Sequence, residues 1–239
     1  MVLHKGKISE IIEETPHIKL FKVTLENGVF DYKPGQFAML SLDNVKTETG
    51  ILVKRSYSIA SSPTNKEYLE FCVSIKKDGK LSPQLEKLKH GDSMNLDGPY
   101  GRFNLKDPLH EGTIVFIAGG AGIAPLLSMI RTLLVQHNDI KILLLYGFRN
   151  PEDCSYKDEL LEYSKKYKNF NMYRTVSSKD VPEWWEEDTG RVTAILNKYI
   201  KPKEIECVYI CGNPDMVRDT IDILKAAGIS EAKIYNEQW

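Results

Sequence analysis

Two short segments of the chain carry residue types that could bind a charged, planar ligand. Arg55–Ser58 reads Arg-Ser-Tyr-Ser and puts a cation, a flat ring and hydroxyls side by side. Gly119–Pro125 reads Gly-Gly-Ala-Gly-Ile-Ala-Pro, where an apolar strand is expected to turn into a helix. Glycine lets the backbone approach a pyrophosphate, and a helix start offers free amides and a positive dipole end. The sequence therefore predicts a phosphate-binding turn and a second site built on arginine and tyrosine.

Each segment is ambiguous by itself. The glycine turn follows the pattern Gly-x-Gly-x-x-Pro, so the third glycine of the usual dinucleotide fingerprint is missing, and glycines at a tight turn can be merely structural. Strand alternation places Arg55 and Tyr57 on one face, which on a barrel strand can be a solvated face. A function for either segment therefore depends on the elements around it.

The chain up to about Phe103 alternates polar and apolar residues with a period of two, as strands do. The alternating segments are Lys7–Ile12, Ile18–Leu25 and Tyr68–Ile75, with turn residues at Glu26–Gly28 and Lys33–Gly35. Short strands at this spacing are typical of an antiparallel barrel. One helix is predicted to interrupt it, from Ser82 or Pro83 to Lys89, with Leu81, Leu85 and Leu88 on one face.

After Asp107 the pattern changes to near-continuous apolar runs separated by helical segments. The runs are Thr113–Ala118, Lys141–Tyr146 and Cys207–Ile210, as expected of parallel strands buried on both faces. The clearest helix has Asn213 as its N-cap, Pro214 in its first position and a stop at Gly228. The predicted fold is an antiparallel β-barrel over residues 1–107, followed by a doubly wound α/β parallel-sheet domain over residues 108–239.

Composition excludes several classes of protein. The net charge of the 239 residues is −1, and the mixed charges favour neither a nucleic-acid nor a membrane partner. No apolar run reaches about 18 residues, and the amino terminus has no signal core, so a cytoplasmic protein is expected. The cysteines and histidines show no ligand spacing, and no metal site is predicted.

With these motifs in place, the chain resembles the ferredoxin–NADP reductase superfamily over essentially its whole length. The matched motifs occur in the order Arg55–Ser58, Gly79–Ser82, Gly98–Gly101, Gly119–Pro125, Cys211–Pro214 and Glu237–Trp239. The resemblance implies an FAD-binding barrel, an NAD(P)-binding α/β domain and a carboxy-terminal tail that returns to the flavin. It also implies hydride transfer from nicotinamide C4 to flavin N5.

The resemblance implies roles for individual residues. Arg55 would pair with the flavin diphosphate, Tyr57 would pack on the isoalloxazine, and Ser58 would lie near N5. Cys211 and Glu237 would lie beside the nicotinamide, although a buried strand cysteine is the alternative reading of Cys211. Catalytic roles are thus expected for Ser58, Cys211 and Glu237, and cofactor contacts for Arg55, Ser56, Tyr57, Ser58, Gly79, Lys80, Leu81, Ser82, Trp239, Gly119, Gly120, Gly122 and Pro125.

Two points stay open at this level. Trp239 is assigned to the cofactor site without deciding between the isoalloxazine and the adenine of FAD. Arg149, Lys179 and Arg191 are the candidates for binding the 2′-phosphate of NADP, so NADP(H) is favoured over NAD(H), with plain surface cations as the alternative.

The expected function is an FAD-dependent exchange of electrons between NAD(P)H and ferredoxin or flavodoxin. Without a cluster domain or a cysteine cluster in the sequence, electrons are expected to leave for another molecule. The alternatives are the reductase component of an oxygenase, which would reduce a separate iron–sulfur protein, and a flavin-binding regulatory subunit without turnover.

Overall fold

The computed structural model describes residues 3–107, 109, 111–137 and 139–238. The chain forms two compact units. The first runs up to Leu105 and includes Leu127–Thr132, and the second contains Lys106–Leu126 and the chain from Leu133 onward. The border at residue 107 and the tail that returns to the flavin stay predictions.

The first unit is built on an antiparallel sheet of six strands in the order β4-β3-β6-β1-β2-β5. The strands are β1 (Leu3–Thr15), β2 (Ile18–Leu25), β3 (Phe37–Ser41), β4 (Arg55–Ser58), β5 (Leu69–Ser74) and β6 (Ser93–Tyr100). An isolated antiparallel bridge joins Ile59, directly after β4, to Phe71 of β5. This bridge links the two edges of the sheet, and the predicted barrel is confirmed.

The barrel encloses an apolar core in which Phe21, Leu40, Phe71 and Leu96 are fully buried. Burying side chains of this size contributes about 1.5–3 kcal/mol each relative to exposure. Short strands with one apolar face are therefore sufficient to build the unit.

The predicted helix at Ser82 is shorter than expected. Helix α1 covers Ser82–Leu85 only. Lys87 and Leu88 donate their backbone N–H groups to residues three positions earlier, at 3.2 and 3.1 Å, so the chain continues as tight turns instead of an α-helix. The apolar face is as predicted, since Leu81 and Leu85 are buried and Leu88 packs against the barrel core.

The second unit contains a six-stranded sheet in the order β10-β9-β8-β7-β11-β12. The strands are β7 (Thr113–Gly119), β8 (Lys141–Phe148), β9 (Phe170–Val176), β10 (Asp188–Thr189), β11 (Ile205–Gly212) and β12 (Ile234–Gln238). Every neighbouring pair is parallel, as predicted for a doubly wound sheet. The strand order reverses between β7 and β11, and ligands bind at such a switch point in open α/β sheets.

The helices of the second half are α2 (Ile123–Gln136), α3 (Lys157–Lys166), α4 (Val192–Tyr199) and α5 (Pro214–Ala226). Apolar side chains of α4 and α5 share one core with Val115 and Ile117 of β7 and with Val208 and Ile210 of β11. The alternate residues Phe116 and Tyr209 are stacked with ring centroids 5.5 Å apart. Because strand side chains alternate, this stack lies on the opposite face of the sheet.

Helix α5 begins as its sequence predicts. Asn213 is the N-cap, its side chain accepts a hydrogen bond from the Met216 N–H at 2.9 Å, and Pro214 occupies the first helical position. Gly228 follows the helix with a φ of +87°, which favours glycine. Among the described residues, no helix has both the length and the apolar character needed to cross a membrane.

Candidate functional site

Strand β4 holds the predicted flavin motif between barrel core and surface. Arg55 and Ser56 are exposed, and Tyr57 and Ser58 are half-buried. Tyr57 packs against the barrel core, and burial raises the pKa of its phenol to about 12, so the ring is neutral near pH 7. A neutral ring anchored in the core is a rigid surface on which a planar ligand can pack.

The Arg55 guanidinium lies beside this ring and donates one hydrogen bond to the Lys54 carbonyl at 2.8 Å. A guanidinium carries five N–H donors in a planar fork, so this bond leaves donors for a diphosphate. The side chains of Arg55 and Tyr57 fit the phosphate and the ring of a flavin nucleotide.

A polar cluster next to β4 was missed at the level of sequence. Lys54 Nζ donates to Asp97 Oδ2 at 2.7 Å, and the Tyr100 hydroxyl donates to Asp97 Oδ1 at 2.7 Å. The Lys54 ammonium, together with the Tyr100 hydroxyl, holds the pKa of Asp97 below its usual range. Asp97 is level with Ser56 across β3, because both are in register with Met39. Asp97 directly precedes the Gly98–Gly101 motif, and this position in the sequence was the available sign that Asp97 lies near the predicted flavin site.

The second predicted flavin segment, Gly79–Ser82, lies in the same unit. Leu81 is the N-cap of α1, and no side chain caps the helix start. The Ser82 hydroxyl accepts from the Lys76 N–H at 3.1 Å and donates to the Lys76 carbonyl at 3.2 Å. Ser82 is the first residue of α1, and its hydroxyl closes the loop from Lys76. A cradle for the flavin diphosphate here would consist of backbone amides.

In the second unit, the glycine turn lies at the sheet's switch point. A Cβ on Gly122 would lie 2.3 Å from the Cys211 carbonyl oxygen, so only glycine allows the turn after β7 to meet the end of β11. Gly120 has a φ of +52°, and a Cβ there would meet nothing within 4 Å. The buried Tyr146 donates its hydroxyl to the Gly120 carbonyl at 3.1 Å and orients this peptide. The turn is thus closely packed on one side and open on the other.

The start of α2 fits a phosphate. Its N-cap is Gly122, and no side chain caps the first turn, whereas Asn213 caps α5 on the other side of the switch point. Uncapped amides at the amino end of a 14-residue helix favour an anion. The residues at this turn therefore fit the pyrophosphate of a dinucleotide.

The structure brings Cys211 and Glu237 together at the carboxyl ends of β11 and β12. They are register partners on the two parallel strands. Burial, with a smaller contribution from the Glu237 carboxyl, raises the pKa of the Cys211 thiol well above its ordinary range, so the thiol is uncharged. Burial also raises the pKa of Glu237 to about 7. Next to the glycine turn, the sheet thus presents a neutral thiol and a carboxyl that titrates near neutral pH.

This titration predicts a pH-dependent stability. The folded state retains the Glu237 proton up to a pKa of about 7, against 4.5 ordinarily, so the carboxyl destabilises the fold increasingly from pH 4.5 to about 7. Replacing Glu237 by Gln removes this loss. The stability of Glu237→Gln relative to wild type is therefore expected to be ~1–3 kcal/mol greater at pH 8 than at pH 5, allowing for partial exposure. Urea unfolding at both pH values measures this difference.

The matched control is Asp222→Asn, which removes a carboxylate from the exposed side of α5. As a surface substitution, it is expected to change the free energy of unfolding by less than ~0.5 kcal/mol at pH 5 and at pH 8. A Glu237→Gln effect that is equally independent of pH would contradict the raised pKa.

The three predicted 2′-phosphate residues lie at the carboxyl ends of adjacent strands. Arg149 directly follows β8, Lys179 follows β9, and Arg191 follows β10, and all three are exposed. The Ser178 N–H donates to the Arg149 carbonyl at 2.8 Å, which joins the first two segments. Asp180, next to Lys179, is an exposed acid in the same loop. Trp239 lies outside the described residues.

The barrel with its arginine–tyrosine strand has the architecture of a flavin-binding domain, and the parallel sheet with a glycine turn at its switch point has that of a dinucleotide-binding domain. Residues 5–105 match the oxidoreductase FAD-binding domain, and residues 116–222 match the oxidoreductase NAD-binding domain. The chain belongs to the ferredoxin reductase-like family of FAD/NAD(P)-binding proteins. Its cofactors are FAD and a nicotinamide dinucleotide.

Two relatives illustrate the range of the family. The chain is 32% identical over 224 residues to the flavodoxin/ferredoxin–NADP reductase of Escherichia coli (strain K12), covering 90% of this chain and 87% of the relative. It is 33% identical over 219 residues to the reductase component of propane 2-monooxygenase from Mycolicibacterium smegmatis, covering 90% of this chain. The chain spans about three fifths, 61%, of the length of that second relative.

A solved structure agrees with the fold. The ferredoxin NADP⁺ reductase from Neisseria gonorrhoeae, with bound FAD and NADP, superposes with a TM-score of 0.84 at 24% identity. The superposition covers 99% of this chain and 98% of that chain. The two-part fold is thus confirmed, and the family is confirmed by the two domain matches and the 32% identical relative.

Proposed function

We propose that the protein is an FAD-dependent NAD(P)H oxidoreductase that exchanges electrons with a separate one-electron carrier, ferredoxin or flavodoxin. The observation that supports this most is that each of the two units keeps the residues that its own part of the chemistry needs. Arg55 and Tyr57 remain available in the barrel, and Cys211 and Glu237 lie side by side next to the Gly122 turn. A subunit without turnover would be expected to have lost one of these two sets of residues.

Bound FAD supplies a ring that accepts a hydride and releases electrons one at a time. The chain's own residues hold and align the reactants. Arg55 would hold the flavin diphosphate, Tyr57 would support the ring, and Ser58 would offer a hydroxyl toward N5. The Gly122 turn binds the dinucleotide pyrophosphate through backbone amides. Cys211 would place an uncharged thiol, and not a thiolate, beside the nicotinamide.

Steady-state reduction of a dye such as ferricyanide by purified protein with NADPH tests the enzyme proposal. Reduction of the dye is expected together with a flavin spectrum, and failure with a full FAD complement would instead support the non-turnover subunit. Titration with purified ferredoxins and flavodoxins then tests the acceptor. Saturable reduction of one of them at low micromolar concentration is the expected result.

A second candidate is the reductase component of an oxygenase. The 33% identity to the propane 2-monooxygenase reductase component favours it. In that case the chain would reduce an oxygenase-associated iron–sulfur protein, and ferredoxin and flavodoxin would be poor acceptors. The acceptor titration separates the two candidates.

We also propose NADP(H) as the preferred nucleotide, bound through Arg149, Lys179 and Arg191. The double variant Lys179→Ala/Arg191→Ala is expected to lose ~2–4 kcal/mol of transition-state binding for NADPH and little for NADH, since a charged hydrogen bond contributes ~1.5–3 kcal/mol. The ratio of kcat/KM values for the two nucleotides measures this.

The matched control is Lys201→Ala/Lys203→Ala, which removes two exposed cations next to the amino end of β11. Because the strands are parallel, these cations lie at the end of the sheet opposite to the three candidates. It is expected to leave the ratio unchanged. Equal losses with NADPH and NADH in the first double variant, or a wild-type preference for NADH, would contradict the NADP assignment.

A further inference from the structure

The 2′-phosphate candidates Lys179 and Arg191 lie near the two ends of residues 177–191, a segment that contains the β9–β10 loop and the short strand β10. At its start, Ser177 and Ser178 donate backbone hydrogen bonds to Phe148 and Arg149, at 2.9 and 2.8 Å. At its end, the Gly190 N–H donates to the Val176 carbonyl at 2.8 Å. The ends are therefore fixed to the sheet, and the path between them depends on side chains.

The main side-chain anchor is an ion pair between Arg174 and Glu187. Arg174 is a buried residue of β9, only 7% exposed. Its Nε donates to Glu187 Oε2 at 2.9 Å, and its Nη2 donates to Glu187 Oε1, which makes the pair bidentate. Burial opposes the Arg174 charge, but hydrogen bonding to Glu187 leaves the pKa of Arg174 above its ordinary value. The pair joins β9 to the end of the loop, directly before β10.

Trp185 completes the anchor. Its ring lies 5.4 Å from the Arg174 guanidinium carbon and makes an edge contact with Phe148 at 5.9 Å. Its Nε1 donates to the Asp188 carbonyl at 3.0 Å. The indole thus lies over the same guanidinium that binds Glu187, and it ties the loop to β8, β9 and β10.

The anchor continues to the helix that follows Arg191. Asp188 accepts hydrogen bonds from Lys198 Nζ at 2.6 Å and from the Tyr199 hydroxyl at 2.5 Å, both on α4. Arg191 is the N-cap of α4. A displacement of residues 185–188 would therefore also move the segment that carries Arg191.

Stability alone accounts poorly for this arrangement. The Arg174 end of the pair is buried, but the Glu187 side chain is 37% exposed. An ion pair with one partner exposed to water contributes little net stability, whereas its bidentate geometry still fixes the position of the carboxylate. Cys154 Sγ lies 4.0 Å from Arg174 Nη1, but burial raises the pKa of this thiol to about 11. A neutral thiol does not compete with Glu187 for the guanidinium.

We propose that Arg174, Glu187 and Trp185 are positioning residues that hold the β9–β10 loop in the path that lets Lys179 and Arg191 bind the 2′-phosphate together. This inference rests on the proposed NADP(H) function. Three residues that do not themselves bind the phosphate thereby have a role in the choice between NADPH and NADH. For removal of the Glu187 charge, positioning predicts weaker phosphate binding, whereas electrostatics alone predicts tighter binding.

The test variant is Glu187→Gln, which keeps the size of the side chain and removes its charge. Loss of a nearby negative charge should by itself tighten binding of a phosphate. Positioning predicts the reverse, namely 2′-phospho-AMP binding about tenfold weaker, roughly the loss of one charged hydrogen bond, with 5′-AMP binding almost unchanged. Titration of FAD-loaded protein with the two nucleotides measures both, and the KM for NADPH should rise while kcat stays similar.

Glu183→Gln is the matched control, because it removes an exposed carboxylate from the same loop without touching the anchor. It should leave 2′-phospho-AMP binding unchanged or slightly tighter. If Glu187→Gln does not fold, Trp185→Phe, which removes the hydrogen bond to the Asp188 carbonyl and leaves a smaller ring beside Arg174, should weaken binding of the same ligand selectively by about threefold.

Tighter or unchanged 2′-phospho-AMP binding in folded Glu187→Gln, or equal weakening of both nucleotides, would overturn the positioning role. The Lys179→Ala/Arg191→Ala variant separates this from the underlying assignment. If that variant does not discriminate against 2′-phospho-AMP, the NADP assignment itself fails. If it does, and Glu187→Gln does not, only the positioning role fails.

Discussion

Arg55→Ala protein is expected to leave purification with most of its FAD lost, whereas the wild type is yellow and releases FAD, not FMN, on denaturation. Arg55 offers the planar donor fork beside Tyr57 that can give the diphosphate two charged hydrogen bonds. Each contributes ~1.5–3 kcal/mol, so their joint loss should raise the Kd for FAD by about 100-fold or more. Flavin content per chain, followed by FAD titration of stripped protein, measures the effect.

Two variants sharpen this result. Arg55→Lys keeps the charge but not the fork and should retain an intermediate amount of FAD. Lys66→Ala, which removes an exposed cation elsewhere in the same unit, should retain all of it. Full retention in Arg55→Ala, or a wild-type protein that stays colourless after incubation with FAD, would refute the assignment of the barrel site.

Gly122→Ala is expected to abolish most nucleotide-dependent activity while FAD content stays at the wild-type level. The added Cβ would lie 2.3 Å from the Cys211 carbonyl oxygen and 2.6 Å from its carbonyl carbon, and backbone atoms cannot rotate away. The glycine turn or the end of β11 must therefore shift. A displacement of about 1 Å at such a position can lower kcat/KM by about 100-fold. Kinetics with NADPH and NADH should show the loss with both nucleotides.

The control is Gly228→Ala, which also adds a methyl group in the second unit. A Cβ at Gly228 would meet nothing within 4 Å, but the φ of +87° makes alanine unfavourable there by ~1–2 kcal/mol. This variant should lose some stability and keep its activity. If Gly122→Ala retained normal kinetics, the close contact at the switch point would have no part in binding.

Local patterns were enough to predict much of the fold. The period-two segments became strands of the barrel, the apolar runs became β7, β8 and β11, and Asn213 and Pro214 began α5 as expected. These features depend on backbone preferences and on burial of neighbouring residues, which a single stretch of sequence reports. The end of the helix at Ser82 was placed too late, because the tight turns at Lys87 and Leu88 are not distinguishable by apolar spacing.

The sequence by itself determined which residue types were available for the site: an arginine and a tyrosine on one strand, a glycine turn after another, and a cysteine at the end of a third. Only the tertiary structure decided their neighbours. Cys211 faces Glu237 because β12 is parallel to β11 in one register, and Arg174 reaches Glu187 because the β9–β10 loop folds back over the strand. Strand order and register depend on contacts between distant parts of the chain, so local propensity carries no information about them.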